Sequence, residues 1–425
     1  MYWSKYNRIY NIDNGRYAIY NYAWDKTIFI VKELADIVLN NLNNIDALSS
    51  IHPTFYNALL SNGIIVETLF DEIEKVKHNI IKSLSSDKVL RLTINPTLDC
   101  NLRCWYCYEK HNNEAYMSER TIKSIESFIA LQLRNKNLKK IRLGFFGGEP
   151  LLTANKRAIP IAKTIAEMCR IGNVALSLHF TTNGSLLRPN LIDSISELNI
   201  PTSFQIAFDG NKIFHNKTKN WNGIGTYNIV LENINYALSK HLKINIRFNY
   251  TSDNISSFKG LIDDIVKLQR TNKTLIEISL QRIWQEKQTK KLFEKVQQIN
   301  DYAISKGIKC AFEDSACAKS YCYADYDYSY VINYNGDIFK CTARDFNSSN
   351  KIGIIDDKGN IVLFDSSSKS EMRIKSYCAE CSLLPICTIC SQKHRENNTN
   401  KCPNIISEED KENQIKMRFN ELFAN

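Results

Sequence analysis

Three cysteines, Cys100, Cys104 and Cys107, lie within eight residues of one another. Thiolates at this spacing can hold three irons of one [4Fe–4S] cube. Because a fourth cysteine is missing from the group, the fourth iron stays open and can chelate a small molecule. A structural zinc site, which is the alternative interpretation, requires four ligands. The spacing therefore predicts a redox cluster with one open iron.

A second group of cysteines lies in the last third of the chain. Its members are Cys317, Cys322, Cys341, Cys378, Cys381, Cys387, Cys390 and Cys402. Clustered thiols in a reducing compartment bind metal more often than they form disulfides. A zinc ribbon remains an alternative for the run from Cys378 to Cys390. Cys169 and Cys310, in apolar or helical contexts, are interpreted as packing residues.

Further polar residues follow segments that are typical of strands. Gly147, Gly148 and Glu149 precede Pro150, and Asn183 precedes Gly184. Glycines at a strand end let the backbone approach a ligand, and a carboxylate can receive an ammonium group. Ordinary turns are the alternative for both segments. At strand ends that follow the first cysteine group, we favour the functional interpretation.

The middle of the chain alternates strand and helix patterns. The strand candidates are 90–96, 141–146, 175–181, 202–208, 244–250 and 275–283. Six such repeats predict an α/β fold with a parallel sheet and outer helices, closing partly into a (β/α)6 TIM-like barrel. Its ligand site is expected at the carboxyl ends of the strands.

Two further regions flank this barrel. Before it, strand patterns at 17–22, 27–31 and 64–66 surround helical patterns at 33–42 and 54–60, which suggests a winged-helix-like module. After it, a cysteine-rich region with short strands and loops is expected to depend on metal clusters for its folding. The predicted domains are 1–87, 88–308 and 309–425.

Composition restricts the class of protein. The net charge is +10, but the lysines are dispersed, which favours a solvated surface over a nucleic-acid partner. An acidic partner such as a leader peptide is the alternative. The sequence shows neither a signal peptide nor a long apolar segment, so a cytoplasmic protein without a membrane partner is expected.

The C-x3-C-x2-C motif with Tyr106 before its last cysteine resembles the radical S-adenosylmethionine (SAM) superfamily. The resemblance implies that the open iron binds SAM and that Gly147, Gly148 and Glu149 bind the SAM amino group. Asn183, in a T-N-G ending, would lie near the ribose. In the stretch around Asp209, Lys219 stands where the family usually has arginine, and Ala207 where it has serine. Lys219 could still meet a carboxylate as a point charge.

The C-terminal cysteine pattern resembles the SPASM domain, which carries two auxiliary [4Fe–4S] clusters and would bring the total to three. One departure is that two residues, instead of three, separate Cys387 from Cys390. The resemblance implies two interleaved ligand sets. One comprises Cys317, Cys322, Cys341 and Cys390, and the other Cys378, Cys381, Cys387 and Cys402.

SPASM enzymes mostly modify peptides and proteins, so the resemblance implies a maturase of ribosomally made peptides. A 5′-deoxyadenosyl radical would abstract hydrogen from a precursor peptide, and a thioether or carbon–carbon cross-link would follow. The N-terminal module would capture the leader as an added strand. A flavodoxin- or ferredoxin-type protein would donate electrons. Arg344 and Asp345 are candidate catalytic residues.

Two alternatives remain open. The first is an anaerobic sulfatase-maturating enzyme that forms formylglycine. Those enzymes carry an aspartate directly after the cysteine that matches Cys341, but Thr342 occupies this position here and cannot act as a carboxylate base. The second alternative is a zinc-binding interaction protein.

Overall fold

The computed structural model describes residues 1–13, 15–268, 275–312, 321–364, 373–397, 399–404 and 406–423. Contacts between residues divide the chain into two units. The first unit comprises Met1–Ser86, Ser315–Asp327 and Ser367–Asn425, and the second comprises Asp87–Asp314 and Tyr328–Ser366.

The first unit begins with small sheets and four helices. The strands are β1 (Tyr2–Trp3), β2 (Asn7–Asp13), β3 (Arg16–Asn21), β4 (Lys26–Val31) and β5 (Ile65–Val66). The helices are α1 (Lys32–Asn40), α2 (Leu48–Ile51), α3 (Pro53–Ser61) and α4 (Leu69–Leu84). Strands β2, β3 and β4 form an antiparallel sheet in that order, and β1 pairs with β5. The predicted strands and helices of this region are confirmed, but β1, β2, α2 and α4 were not predicted.

The second unit is an α/β fold built on a large mixed sheet. The strands of this unit are β6 (Val89–Ile94), β7 (Lys140–Phe145), β8 (Ala175–Thr182), β9 (Thr202–Phe208), β10 (Asn220–Trp221), β11 (Ile224–Gly225), β12 (Lys243–Tyr250), β13 (Ile276–Arg282), β14 (Lys309–Phe312), β15 (Ser329–Ile332), β16 (Asp337–Phe339), β17 (Gly353–Ile355) and β18 (Ile361–Leu363). Strands β10 and β11 pair with each other in a separate two-stranded sheet. Its helices are α5 (Glu119–Gln132), α6 (Ile159–Ile171), α7 (Pro189–Ser196), α8 (Lys212–Thr218), α9 (Tyr227–Ser239), α10 (Phe258–Leu268) and α11 (Lys290–Ser305).

The sheet order is β14-β13-β12-β9-β8-β7-β6-β15-β16-β17-β18. The six predicted strands of the barrel are confirmed as β6, β7, β8, β9, β12 and β13, and all pair in parallel. The expected set of six is too small, however, because β14 and β15 extend the parallel sheet at its two sides. Both come from residues after 308, so strands of the predicted third region complete the sheet of the predicted barrel.

A row of aromatic side chains fixes the middle of this sheet. Phe145, Phe180 and Phe204 are register partners on β7, β8 and β9, and all three are buried. Neighbouring rings stack with centroids 5.0 and 5.3 Å apart. Cross-strand aromatic pairs stabilise a sheet and fix its register. The ends of β7 and β8, which carry candidate site residues, are thereby held at one level.

The first unit is completed by α12 (Ser391–Asn397) and α13 (Glu408–Phe423). The expectation of only short strands and loops in the C-terminal region is wrong for α13, a helix of 16 residues. Half of its residues are charged, and among its described side chains Ile415 and Phe419 are the ones buried in the hydrophobic core. The sparse apolar pattern explains why the helix was missed.

One hydrophobic core joins the two ends of the chain within the first unit. Its buried members are Tyr6, Ala18, Tyr20, Tyr22, Val76, Ile80, Leu84, Leu383, Leu384, Ile415 and Phe419. The Tyr22 hydroxyl donates a hydrogen bond to the Ser382 carbonyl oxygen at 3.0 Å. Arg418 forms an ion pair with Asp25 at 2.7 Å. Residues of the predicted domains 1–87 and 309–425 therefore share a core, although the three predicted boundaries themselves stay a prediction.

Within the described ranges, the model contains no helix with the length and apolar character needed to cross a membrane.

Candidate functional site

The carboxyl ends of the parallel strands collect most of the predicted site residues. The first cysteine group follows β6, Gly147 to Glu149 follow β7, Asn183 follows β8, and Asp209 follows β9. Because these strands run parallel and are neighbours, their carboxyl ends meet at one edge of the sheet. The expected location of the ligand site at this edge agrees with the sheet topology.

The cysteine loop is ordered by hydrogen bonds to its own backbone. The backbone N–H of Leu102 faces the sulfur of Cys100 at 3.4 Å, and the N–H of Cys107 donates to the Cys104 carbonyl oxygen at 3.0 Å. Cys100 is buried, and burial raises the pKa of its thiol to about 12. Metal binding at Cys100 must therefore release a proton.

Gly147 and Gly148 bring two loops into contact. A Cβ atom on Gly147 would lie 2.3 Å from the Thr97 carbonyl oxygen, and one on Gly148 would lie 2.2 Å from that of Asp99. Gly147 also has a φ of +106°, which disfavours other residues. The N–H of Glu149 donates to the Asp99 carbonyl oxygen at 2.8 Å. From the sequence, we expected these glycines to let the backbone approach a ligand. In the structure, the close approach at both glycines is to the segment that leads into the cysteine loop.

Glu149 is completely buried and connects the ends of β7 and β8. Its Oε1 accepts hydrogen bonds from the Leu151 N–H at 3.0 Å and the Thr182 hydroxyl at 2.7 Å. Its Oε2 accepts from the Asn183 N–H at 2.8 Å. Burial raises the pKa of Glu149, while these donors oppose the rise. A carboxylate offers about four acceptor positions, so one position remains for a further donor such as an ammonium group.

Asn183 connects its strand end with the cysteine loop. Its side-chain N–H donates to the Asn101 side-chain oxygen at 2.9 Å and faces the sulfur of Cys100 at 3.9 Å. Its own side-chain oxygen accepts from the Ser185 N–H at 2.9 Å. The T-N-G ending is therefore more than an isolated turn, because it helps to position Cys100.

Tyr106, Lys219 and Asp209 form a buried network. The Tyr106 hydroxyl donates to Asp209 Oδ1 at 2.6 Å, and the Lys219 ammonium donates to the Tyr106 hydroxyl at 2.7 Å. The same ammonium lies 3.2 Å from Asp209 Oδ2 and 3.3 Å from the sulfur of Cys104. Burial alone would lower the pKa of Lys219, but Asp209, Tyr106 and Cys104 raise it well above its usual value.

A cavity of about 240 Å³ adjoins this network. Its lining includes Tyr106, Asp209, Asn249, Thr251 and Asn254. Among the described residues, Asp209 Oδ2 faces the Lys219 ammonium at 3.2 Å and accepts no other donor, so one of its two acceptor positions remains. A buried acceptor at a polar cavity favours a ligand that carries hydroxyl or amino groups.

The loop after Cys341 packs beside the residues that follow Cys107. The Tyr108 hydroxyl donates to the Thr342 carbonyl oxygen at 2.9 Å, and the Tyr108 ring lies 5.8 Å from that of Trp284. The Arg344 guanidinium stacks over the Trp284 ring at 4.6 Å. The structure thus brings one candidate catalytic residue, Arg344, close to the segment that follows the first cysteine group.

Glu109 is a site residue that the sequence analysis missed. It is buried, and neither of its carboxylate oxygens has a hydrogen-bond partner among the described residues. Burial, together with the charges of Asp345 and Glu149, raises the pKa of Glu109 to about 8. Asp345, the other candidate catalytic residue, therefore lies near enough for its negative charge to raise the pKa of Glu109. The sequence signal that could have identified Glu109 is a carboxylate two residues after the last cysteine of the motif.

The first unit gathers one of the two predicted auxiliary ligand sets. A cavity of about 480 Å³ is lined by Cys378, Cys381, Cys387 and Cys402, together with apolar, polar and charged residues. In the part of the chain that is described, no three His, Cys, Asp or Glu side chains have the geometry to hold a single metal ion. The four thiols share this cavity, and their role as cluster ligands stays a prediction.

Two members of the other predicted set, Cys322 and Cys390, lie together in the first unit. Cys322 and Cys390 interact directly, which raises the pKa of Cys322 and lowers that of Cys390. Beside them the carboxylate of Asp325 accepts from the Ser391 N–H at 2.8 Å and pairs with Arg373 at 3.0 Å. Cys341 belongs to the second unit, and Cys317 lies outside the described residues.

A family model of the radical SAM superfamily matches residues 94–270, which contain the cysteine loop and the ends of β7 to β9. The chain carries a radical SAM domain. This domain implies SAM and one [4Fe–4S] cluster. The residues present fit both groups, because three thiols share one loop and buried acceptors remain at Glu149 and Asp209.

Relatives of the radical SAM domain cover part of the chain. The radical SAM cyclopropyl synthase TigE of Paramaledivibacter caminithermalis is 24% identical over 274 residues, 58% of this chain and 54% of the relative. The GTP 3′,8-cyclase of Clostridium perfringens is 30% identical over 156 residues, 36% of this chain and 45% of the relative. The chain thus spans about half the length of these relatives.

Solved structures share the fold. The structure of native anSMEcpe with bound AdoMet is 17% identical and has a TM-score of 0.58, covering 79% of this chain and 98% of that chain. A structure of the same protein with AdoMet and the Cp18Cys peptide has 18% identity, the same TM-score and the same coverage.

Proposed function

We propose that this chain is a radical SAM enzyme that cross-links a ribosomally made peptide, for example through a thioether or carbon–carbon bond. The observation that carries the proposal is the meeting of three thiols, the Glu149 carboxylate and the polar cavity beside Tyr106 at one edge of a parallel sheet. A peptide substrate is supported by the structurally similar anSMEcpe, which has been solved with AdoMet and a peptide.

Each group of this edge has a distinct task. Cys100, Cys104 and Cys107 would hold three irons, and Glu149 would use its remaining acceptor position for the SAM ammonium group. The cavity beside Asp209 would take the nucleoside, whose hydroxyl groups satisfy the buried Oδ2. When bound, SAM and the cluster supply a 5′-deoxyadenosyl radical that abstracts hydrogen from the substrate. The protein excludes water and holds the substrate in place.

We propose that Lys219, at the SAM-binding edge, is not simply a free cation that receives the SAM carboxylate. An ammonium group has three donors, and those of Lys219 face Asp209, Tyr106 and Cys104. A SAM carboxylate would have to replace one of these contacts. Gly147, Gly148 and Asn183 would support SAM binding by positioning the cysteine loop.

Arg344 and Asp345 stay candidates for contacts with the peptide. Arg344 stacks on Trp284, whose side chain is exposed. Because guanidinium and indole groups stack well and are often exposed at binding surfaces, this pair provides a surface on which a peptide can pack. Asp345 and the neighbouring Glu109 provide carboxylates for proton transfer.

The two auxiliary [4Fe–4S] clusters are also part of the proposal. The four thiols that line the cavity in the first unit would hold one of them. Cys322 and Cys390, with Cys341 and Cys317, would hold the other. These clusters would pass electrons to or from a flavodoxin- or ferredoxin-type protein in the cytoplasm.

Strand β4 is the proposed site for the leader of the precursor peptide. It lies at one edge of the three-stranded sheet that the described residues form. Phe29 and Val31 are exposed on β4, whereas Ile30 between them is buried in a core. An edge strand with alternating apolar side chains can accept a peptide as an added strand. This geometry supports the proposal that the predicted winged-helix-like module binds the leader.

The test uses the full chain and a synthetic precursor encoded by a short reading frame beside its gene. Anaerobic incubation with SAM and a reductant should produce 5′-deoxyadenosine and a cross-linked peptide that mass spectrometry detects. Phe29→Lys should reduce precursor binding at least tenfold, whereas the matched control Phe70→Lys, at an exposed site on α4, should not. Deletion of the module is less informative, because Tyr20 and Tyr22 belong to the core shared with Leu383.

Other outcomes would select another function. Formylglycine on a sulfatase peptide, with no change to the precursor, would establish the sulfatase-maturating alternative. A protein that contains zinc, lacks iron and releases no 5′-deoxyadenosine would establish the interaction protein. Equal effects of Phe29→Lys and Phe70→Lys would remove the leader role of β4 while leaving the enzyme class intact.

A further inference from the structure

The Lys219 side chain is buried and carries a positive charge to the cysteine loop. Its exposed fraction is 4%, and that of the Asp209 side chain is 3%. The ammonium nitrogen lies 3.3 Å from the sulfur of Cys104, which is within hydrogen-bond distance for a sulfur acceptor. Both charged groups of the pair thus lie within the protein at one of the proposed cluster ligands.

Hydrogen bonds fix the orientation of this pair. The Tyr106 hydroxyl donates to Asp209 and accepts from both Lys219 and the side-chain N–H of Asn249, the latter at 2.9 Å. Asn254 donates to the Asp209 backbone carbonyl oxygen at 3.0 Å. The ammonium therefore contacts the sulfur directly, while the carboxylate contacts the ammonium and the tyrosine. The two charges have different positions relative to Cys104.

A buried ion pair is weak evidence for a role in stability, because removing two charges from water offsets much of their attraction. Its position matters more for a redox group. Reduction adds one electron, and hydrogen bonds and charges at the ligating sulfurs are among the factors that set the reduction potential of an iron–sulfur cluster. A cation at the Cys104 sulfur favours the added electron, and an anion behind that cation weakens its effect.

We propose that Lys219 and Asp209 act as an opposed pair that sets the reduction potential of the cluster bound through Cys104, with Lys219 raising the potential and Asp209 lowering it. This inference rests on the proposed function, since it requires a cluster at the first cysteine group. It assigns Lys219 a role that does not depend on SAM. Both residues are positioning residues, because they act through the cysteine sulfur.

The test is a redox titration of the anaerobically reconstituted full chain, followed by electron paramagnetic resonance without SAM. The signal to follow is the one absent from protein in which Cys100, Cys104 and Cys107 are all replaced by alanine. Lys219→Met removes the positive charge and keeps the approximate length of the side chain. Asp209→Asn removes the negative charge and keeps an oxygen that can accept from Tyr106. Lys212→Met, at an exposed lysine at the start of helix α8, whose end precedes Lys219, is the control.

Lys219→Met should make reduction at least tenfold less favourable, which is about 59 mV toward negative potential for a one-electron couple. Asp209→Asn should shift the potential in the opposite direction, and Lys212→Met should leave it unchanged. Shifts of the same sign in the first two variants, or shifts no larger than that of Lys212→Met, would overturn the inference.

Loss of the cluster must be separated from a change in its potential. If Lys219→Met fails to assemble the cluster, the sign of the Asp209→Asn shift decides. If both variants lose iron, the pair serves to hold the loop and the tuning role is refuted. Absence of iron at the first cysteine group of the unmodified chain would instead refute the proposed function.

Discussion

The two groups of cysteines are positioned by different kinds of structure. In the second unit, Cys100, Cys104 and Cys107 share one loop, which backbone hydrogen bonds attach to the loop after β7. In the first unit, the cavity lined by Cys378 and Cys402 adjoins a core that also contains strands from the start of the chain. A short motif specifies the first site locally, whereas the second site requires contacts between residues more than 350 positions apart, such as Tyr22 and Ser382.

The difference predicts how each site fails. The loop in the second unit should be sensitive to changes at a few close contacts and insensitive to distant packing. The cavity in the first unit should be sensitive to the shared core, even when no cysteine is altered. Metal bound at either site would contribute to folding, because the ligands are brought together only in the folded state.

The largest expected effect follows from replacing all three cysteines of the first group. Cys100→Ala, Cys104→Ala and Cys107→Ala together should reduce 5′-deoxyadenosine formation to background, because the radical cluster loses its thiolates. Iron bound in the first unit should remain. Chromatography of the reaction mixture and iron analysis measure the two quantities. Undiminished 5′-deoxyadenosine would contradict the assignment of this group.

A glycine substitution tests whether the loop of the first group depends on close contact. Gly147→Ala places a Cβ atom 2.3 Å from the Thr97 carbonyl oxygen and also strains a positive φ. We expect it to release iron from the first group and leave the first unit unchanged. The control is Gly223→Ala, which has a φ of +81° but no atom within 4 Å of the new Cβ. Equal iron loss in both variants would show that backbone strain, and not the contact between loops, is responsible.

The core of the first unit provides the complementary test. Phe419 is buried and its ring lies 4.5 Å from that of Tyr10 on β2. Phe419→Ala should destabilise the first unit by about 3–5 kcal/mol and reduce the iron bound there, without lowering iron at the first group. Denaturant unfolding measures the first effect. The matched control Phe70→Ala removes an exposed ring and should change stability little. Iron loss from both units in Phe419→Ala would remove the proposed difference.

The sequence predicted the second unit well because its signals are local. Alternating apolar residues predicted the six strands within one or two residues, and the motifs at their ends follow from chain order. The extension by β14 and β15 was not predicted, since pairing partners are not encoded in short apolar runs such as Ile308 to Phe312. The contact of Gly147 with the cysteine loop was missed for the same reason.

The first unit was predicted less completely. The sequence contained a signal for helix α4 that was overlooked. Thr68 caps the helix, and the apolar residues Val76, Ile80 and Leu84 follow at helical spacing. Helix α13 had almost none. The shared core could not be predicted, because it depends on which distant segments pack together. The pair of Asp325 with Arg373 was also missed, as was Glu109 in the second unit, since burial of a charged residue is not visible in composition.

The iron content of the anaerobically reconstituted protein tests the central claim most directly. Three [4Fe–4S] clusters predict about twelve irons per chain and no zinc. About eight irons would mean that one auxiliary set is not a cluster, and the assignment of Cys317 would be reconsidered first. About four irons together with zinc would show that only Cys100, Cys104 and Cys107 were interpreted correctly. A protein with zinc and no iron would contradict the account.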